Sequence, residues 1–126
     1  MERYEEAALR HYKCALLLKE ANQLDEAGHL IGFAAECAIK HAIVSLRTTT
    51  DHTAPHGHFP TFLHIARKHI TQRSSMFDIL KNNKLLTGWD VSRRYHGNGT
   101  TSEEELNSWI QDAKRVLACA RIRGGS

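Results

Sequence analysis

The sequence predicts an all-α protein, organised as an up-down bundle of four to five helices in a single domain over residues 1–126. Apolar residues recur at spacings of three and four in several separate stretches, which is the period of an amphipathic helix. The chain has only two prolines, so few helix breaks are forced on it. Short connections between the helical stretches favour antiparallel packing of neighbouring helices.

The first predicted helix extends from about Glu2 to Gln23. Its apolar stripe comprises Tyr4, Ala8, His11, Ala15 and Leu18, widened by Leu17 and Ala21. Residues at these spacings lie on one side of a helix. The pattern therefore predicts an amphipathic helix with one buried face.

The second predicted helix follows an N-cap at Asp25 and continues to about Leu46. Small residues repeat along its apolar side: Ala27, Gly28, Gly32, Ala34, Ala35, Ala38 and Ala42. A glycine in a helix interior costs about 1 kcal/mol relative to alanine. Two glycines here indicate that another helix approaches closely, and we expect this to be the central packing helix.

The middle of the chain is expected to contain loops and short helices. Residues 47–60 lose helical periodicity and form a predicted loop. A third helix is predicted from about Thr61 and a short one near Ser75. Residues 87–101 are irregular again and contain the aromatic residues Trp89 and Tyr95.

The last predicted helix has the clearest boundaries. Ser102 with Glu105 three residues later forms a capping box, and the three consecutive glutamates suit the positive end of the helix dipole. The predicted apolar face comprises Leu106, Trp109, Ile110, Ala113, Val116, Leu117 and Ala120. Arg121, Arg123 and Gly124 are expected to close the helix.

Positive charge is concentrated in the middle of the chain. Between His52 and Ser102 there are seven Lys or Arg residues against two acidic residues, whereas the rest of the chain has ten against twelve. Six of the nine histidines also lie in this stretch. It is either a surface that faces an anion or nucleic acid, or a solvated basic face without function.

No stretch is apolar over the roughly 18 residues of a membrane span, and the first residues lack the apolar region of a signal peptide. We therefore expect a cytoplasmic protein without membrane contact. Its three cysteines, Cys14, Cys37 and Cys119, are widely spaced in helical stretches. This pattern favours small buried thiols over a disulfide or zinc framework.

The run from Ala27 to Lys40, AGHLIGFAAECAIK, resembles the second helix of HEPN domains, the higher eukaryotes and prokaryotes nucleotide-binding superfamily. His58 with the following FPTFL resembles the histidine that opens the third helix of that family. The segment from Trp89 to Arg94 and Tyr95 resembles the tryptophan and Arg-Tyr segment before its final helix. The resemblance covers nearly the whole chain in order.

The resemblance implies a four- or five-helix bundle that forms a homodimer. Many HEPN proteins are metal-independent RNases of toxin-antitoxin, CRISPR and phage-defence systems, and others bind RNA or nucleotides without cleavage. The RNase members carry an arginine followed, after four to six residues, by a histidine, and two protomers share one site. Here that motif departs from the family pattern, because His96 follows Arg93 and Arg94 by only three and two residues.

Cleavage of RNA without a metal needs a base, an acid and a cation for the developing phosphorane charge. Arg94 and His96 are the candidate catalytic residues, since arginine donates to phosphate and histidine titrates near neutral pH. Arg93 and Tyr95 are candidates for phosphate binding and base stacking. In the alternative interpretation Arg94 pairs with an acid, Tyr95 packs in the core and His96 is solvated.

Glu36 is expected at a helix interface, where an ionised carboxylate needs a partner. Lys40, four residues later, supplies one by an i,i+4 pair; Arg94 or His58 are the alternatives across the bundle. An orienting role for Glu36 is favoured over direct acid-base work. The loop histidines His52, His56 and His58 lack supporting ligands, so we expect no metal and no cofactor.

The resemblance thus implies a HEPN-like RNA-binding or RNase-like protein of a prokaryotic defence or toxin-antitoxin system. One alternative is a non-catalytic interaction subunit that binds a partner protein of the same system, such as a nucleotidyltransferase. A second is a nucleotide-binding module that uses Arg93 and Arg94 on phosphates.

Overall fold

The computed structural model describes residues 3–46, 85–89, 99 and 101–122, with side chains of the second helix described as far as residue 42. These residues contain three helices: α1 (Tyr4–Glu20), α2 (Leu24–Leu46) and α3 (Glu103–Cys119). The described residues contain no strand, which confirms the all-α prediction for them. The predicted third helix, the short helix near Ser75 and the loop at 47–60 lie outside the described residues.

The connection between α1 and α2 is a tight turn closed by Asn22, whose φ is 62°. The Asn22 amide donates to the Lys19 carbonyl at 3.0 Å, and the Gln23 amide donates to the Leu18 carbonyl at 2.8 Å. Asparagine is, after glycine, the residue that tolerates this left-handed conformation best. The turn therefore sets α1 and α2 side by side as a hairpin.

The face that α1 buries differs from the one that its sequence pattern predicts. Ala8, Tyr12 and Ala15 are its buried residues, whereas Leu17 is 65% exposed. Leu17 lies two residues after Ala15, about 200° around a helix with 3.6 residues per turn, and cannot share its face. The assignment of Leu17 and Ala21 to the apolar stripe is therefore wrong, and Tyr12 replaces them.

Helix α2 is the central packing helix of the described part, because both α1 and α3 pack against it. Its buried apolar side chains are mostly small: Ala27, Ile31, Ala34, Ala35, Ala38, Ile39 and Ala42. Alanine keeps helix propensity high while allowing close approach of a neighbour. The sequence-based assignment of α2 as the packing helix is confirmed among these elements.

The two glycines of α2 receive two tryptophan rings. A Cβ at Gly32 would overlap the Trp89 indole, and a Cβ at Gly28 would lie 2.7 Å from Cζ3 of Trp109. The Trp89 Nε1 also donates to the Gly28 carbonyl at 2.7 Å, and the Trp109 Nε1 donates to the Thr87 carbonyl at 2.9 Å. We call Trp89 and Trp109 the tryptophan pair. The close approach predicted at these glycines is therefore present, and the groups that approach are the indole rings of Trp89 and Trp109.

Helix α3 begins as its sequence predicts. Ser102 is the N-cap, and its hydroxyl accepts from the Glu105 amide at 3.1 Å. Every residue of the predicted apolar face is buried: Leu106, Trp109, Ile110, Ala113, Val116, Leu117 and Ala120. This helix has the period and the cap that define an amphipathic helix, so the sequence locates it well.

The end of α3 agrees with its prediction at Arg121, whereas Arg123 and Gly124 lie outside the described residues. The helix stops at Cys119, and Arg121, with a φ of 60°, takes the left-handed position after the cap. The Ile122 amide donates to the Leu117 carbonyl at 3.0 Å, which closes a Schellman motif. Ile122 is buried, and its burial helps to fix this end of the helix.

Two carboxylates tie non-helical segments to the helices. Asp25 was expected to cap α2, but the helix begins one residue earlier. The Asp25 carboxylate instead accepts hydrogen bonds from the Gly99 amide at 2.7 Å and the Thr101 amide at 2.9 Å. Asp112 of α3 accepts from the Leu86 amide at 2.9 Å. Charged acceptors make strong bonds with backbone amides, so these contacts hold the segments before α3 in place.

Within the part of the chain that the structure describes, no helix has the length and apolar character needed to cross a membrane.

Replacing Gly32 with alanine tests the packing of α2 against the tryptophan pair. Overpacking costs about 1–3 kcal/mol, whereas alanine returns about 1 kcal/mol of helix propensity. We expect a net loss of unfolding free energy of about 1 kcal/mol or more, measured by urea titration. Ser108→Ala, at an exposed position of α3, should change stability by less than about 0.5 kcal/mol.

The double variant Gly32→Ala with Trp89→Leu identifies the cause of that loss. Because the smaller side chain leaves room for the new methyl group, the double variant should lose less stability than the sum of the single variants. Strict additivity would contradict direct contact between the Gly32 position and the indole.

Candidate functional site

Two of the predicted site residues, Glu36 and Lys40, lie in the described part of the chain, and both line the same cavity. The other candidates lie outside the described residues: His58, Arg93, Arg94, Tyr95 and His96. The candidate site is therefore built from the cavity at Glu36 and Lys40, which we call the α1–α2 pocket.

The α1–α2 pocket has a volume of about 430 Å³ and lies between the first half of α1 and the middle of α2. The N-cap residue Arg3 and helix α1 contribute one wall, and helix α2 contributes the other. The wall of α1 comprises Arg3, Tyr4, Glu6, Ala7, Arg10 and His11, and the wall of α2 comprises Phe33, Glu36, Cys37 and Lys40. On both helices these positions recur every three or four residues, so each helix presents one face to the pocket. The hairpin turn at Asn22 brings the two faces together.

Three cationic side chains line the pocket, Arg3, Arg10 and Lys40, together with two carboxylates, Glu6 and Glu36. Arg3 forms an exposed ion pair with Glu6, with 3.1 Å between Nη1 and Oε1. Arg10 is exposed and has no ion pair among the described residues. Such exposed pairs contribute about 0–1 kcal/mol, so an anion entering the pocket can replace Glu6 at little cost.

Glu36 forms part of the inner wall and is only 2% exposed. The expectation that it lies at a helix interface is confirmed by this burial. An ionised carboxylate withdrawn from water requires compensating contacts, since its desolvation costs several kcal/mol. Lys40 lies one turn further along the same helix and lines the same pocket, which is the placement required for the predicted i,i+4 pair.

The pKa of the half-buried His11 depends on its burial and on the charge of Arg10. Burial lowers the pKa of His11 below its ordinary value of 6.5, and the neighbouring Arg10 lowers it further. Both effects disfavour the imidazolium form. His11 is therefore predominantly neutral at pH 7, and Arg10 supplies a positive charge beside it.

Aromatic side chains form the apolar part of the pocket. Phe33 lies edge-on against Trp89, with ring centroids 5.6 Å apart, and against His29 at 5.2 Å. Its ring centroid is 6.2 Å from that of His11. Edge-to-face contacts of this kind are favourable for aromatic pairs. Phe33 therefore connects the pocket to the tryptophan pair, and its ring is held on several sides.

A second cavity, of about 440 Å³, lies at the start of α2. Its lining includes the carboxylates Asp25 and Glu26 and no cationic side chain among the described residues. Asp25 already accepts two backbone hydrogen bonds there. The two carboxylates of this cavity repel anions, and the half-buried Asp25 already has backbone partners, so this cavity is not the candidate site.

The described residues contain no group of three or more His, Cys, Asp and Glu placed to hold a metal ion. The loop histidines His52, His56 and His58 lie outside them. Cys37 and Cys119 are half-buried, as a small structural thiol would be, but Cys14 is exposed. The expectation of burial is therefore wrong for Cys14, which lies on the outer side of α1.

Sequence reasoning missed the contribution of α1 to this site. Tyr4 and His11 were assigned to the apolar stripe, and Arg3 and Arg10 were not selected. The signal was a repeat at seven residues, which places Arg3 above Arg10 and Tyr4 above His11 on one face. Combined with the hairpin, this repeat predicts a cationic and aromatic wall opposite Lys40.

His11 makes stability depend on pH in a defined direction. A histidine whose folded pKa is depressed favours folding fully above its unfolded pKa of 6.5, and this contribution disappears as pH falls through the folded pKa. We expect His11→Gln to lose less unfolding free energy than the unaltered chain between pH 7.5 and pH 5, measured by urea titration. The control His41→Gln leaves His11 in place and should lose as much unfolding free energy over this pH range as the unaltered chain. If the unfolding free energies of the unaltered chain and of both variants changed equally with pH, the lowered pKa of His11 would be contradicted.

No model of a known protein family matches this chain, and no match is found among curated proteins or solved structures. The function is therefore inferred from the residues of the α1–α2 pocket and from the sequence pattern around them.

Proposed function

We propose that this chain is a HEPN-like RNA-binding protein of a four- or five-helix bundle, which acts as a homodimer and holds RNA phosphates in the α1–α2 pocket. The observation that carries the proposal is the convergence of Arg3, Arg10 and Lys40 on one cavity. Phosphate contacts from arginine and lysine supply most of the affinity of proteins for nucleic acids.

Arginine suits this role because its planar guanidinium donates to two phosphate oxygens at once. Arg10 is exposed and lies beside His11, whose pKa is lowered by burial and, to a smaller extent, by the charge of Arg10. A bound phosphate would therefore meet a cation that is not neutralised by a neighbouring carboxylate. This distinguishes Arg10 from Arg3, whose charge is shared with Glu6.

Glu36 is proposed as a positioning residue for Lys40. A buried carboxylate one helical turn away restricts the ammonium group to the wall of the pocket, where it faces a ligand. The role is orientation of a cation, since a side chain 2% exposed has little access to the ligand.

Cleavage is a separate step from binding and belongs to Arg94 and His96. Incubation of the protein with tRNA and total RNA in EDTA, beside Arg94→Ala and His96→Ala, measures it directly. Cleavage by the unaltered chain alone supports a metal-independent RNase. Binding without cleavage supports an RNA-binding protein, and a monomer by light scattering at micromolar concentration would contradict the dimer and its shared site.

Arg10→Ala should weaken binding of a single-stranded RNA decamer and flatten its salt dependence. Each phosphate contact contributes a slope of about −0.7 to a plot of log affinity against log salt for single strands, so loss of one contact should reduce the slope by about 0.7. The measurement is fluorescence anisotropy from 20 to about 200 mM salt with EDTA present.

Lys13→Ala is the matched control, because Lys13 is exposed on the same helix one turn from Arg10 and does not line the pocket. It removes the same charge and should change the slope much less. Equal effects of the two substitutions would contradict the pocket as the binding site. Absence of any binding at low salt would contradict RNA binding and leave the partner-protein subunit as the interpretation.

A further inference from the structure

We propose that Asp25 is a positioning residue for RNA binding, because its carboxylate holds one end of the chain segment 90–98. This segment lies outside the described residues and carries four of the candidate site residues: Arg93, Arg94, Tyr95 and His96. The inference rests on the proposed function, since it concerns how side chains that contact RNA are presented. The contacts that carry it belong to the residues on either side of the segment, which are bound to one turn of α2 near its start.

The residues that follow the segment are bound to the Asp25 carboxylate. Its Oδ2 accepts from the Gly99 amide at 2.7 Å, and its Oδ1 accepts from the Thr101 amide at 2.9 Å. Thr101 is buried, and its Cγ2 would lie 3.5 Å from a Cβ at Gly28. Hydrogen bonds to an ionised acceptor are roughly twice as strong as those between neutral groups. Asp25 therefore fixes the chain directly after the segment.

The residue before the segment, Trp89, is bound to the same part of α2. Its Nε1 donates to the Gly28 carbonyl at 2.7 Å, and its ring packs on Gly32. Asp25 and Gly28 are three residues apart, or about 4.5 Å along the helix axis, and lie on the same side of the helix. The residues at both ends of the segment are therefore held at one turn of α2.

Nine residues connect these two ends. A chain segment that is fixed at both ends has fewer conformations than one fixed at a single end, so its side chains lose less entropy when they bind a ligand. The basic and aromatic side chains of this segment are of the types that contact phosphates and stack on bases, and they outnumber its one acidic residue, Asp90. Release of one end should therefore weaken RNA binding, although Asp25 itself does not contact the RNA.

Positioning and charge predict opposite effects for Asp25→Asn. A carboxylate repels RNA phosphates, so removal of its charge alone should raise the affinity for RNA. The substitution also replaces one of the two acceptor oxygens with an amide group, which cannot accept from the Gly99 or Thr101 amide. Because Asp25 holds the segment, the affinity should instead fall by about tenfold.

The measurement is fluorescence anisotropy with a single-stranded RNA decamer at low salt in EDTA. Glu26→Gln is the charge control, because Glu26 is the exposed neighbour of Asp25 and lines the same cavity. Asp112→Asn is the structural control, because Asp112 also accepts from a backbone amide, that of Leu86. Neither control should lower the affinity for RNA. An affinity of Asp25→Asn equal to or above that of the unaltered chain overturns the inference.

A double-mutant cycle tests whether Asp25 acts through the segment. In a chain that already carries Arg93→Ala and Arg94→Ala, Asp25→Asn should cause no further fall in affinity, because the side chains that it positions are gone. An equal fall in both backgrounds overturns the positioning role and leaves a general effect on the fold. Thermal unfolding verifies that each variant is folded.

Trypsin cleaves after Arg93 and Arg94 and therefore tests the same contact without RNA. Cleavage of a folded protein follows the population of its opened state, so Asp25→Asn should be cut at these two sites about tenfold faster than Glu26→Gln, measured by mass spectrometry. Equal rates overturn the inference. Absence of RNA binding by the unaltered chain contradicts the proposed function, and the trypsin rates then still decide whether Asp25 holds the segment.

Discussion

Two indole rings pack directly against the two glycines of α2, and the rest of the described structure depends on this contact. Trp109 brings α3 against Gly28, and Trp89 fits against Gly32 while donating to the Gly28 carbonyl. Neither ring could occupy its place if α2 carried a Cβ there. The cost of about 1 kcal/mol for each glycine in a helix is offset by burial of a large aromatic surface, of which an indole supplies the most.

The same contact determines the candidate site. Trp89 lies edge-on to Phe33, and Phe33 forms a wall of the α1–α2 pocket. On the other side, small residues such as Ala8 and Ala34 bring α1 close to α2, and the longer side chains at the edge of this contact surround a cavity. The pocket is therefore a consequence of close helix packing, and its wall is held in position before any ligand arrives, which lowers the entropic cost of binding.

The sequence predicted what depends on a local pattern and missed what depends on tertiary contact. The apolar face of α3 and its Ser102 cap follow from periodicity and a local hydrogen bond, and both are correct. The partners of Asp25 are more than seventy residues away, at Gly99 and Thr101, so its capping role was assigned wrongly. The pocket required the pairing of α1 with α2, so Glu36 and Lys40 were found from their helix alone, whereas Arg3 and Arg10 were not.

Charge and protonation are coupled in this pocket. Burial and the charge of Arg10 depress the pKa of His11. An anion bound beside Arg10 opposes that charge and raises the pKa of His11, and by thermodynamic linkage a protonated His11 strengthens anion binding by the same free energy. Glu6 and Glu36 also line the pocket, and their negative charges favour protonated His11 as the anion does. The positive charges of Arg3 and Lys40 disfavour it. The affinity for a phosphodiester, whose own charge is constant across this range, should therefore rise as pH falls towards the pKa of the liganded histidine.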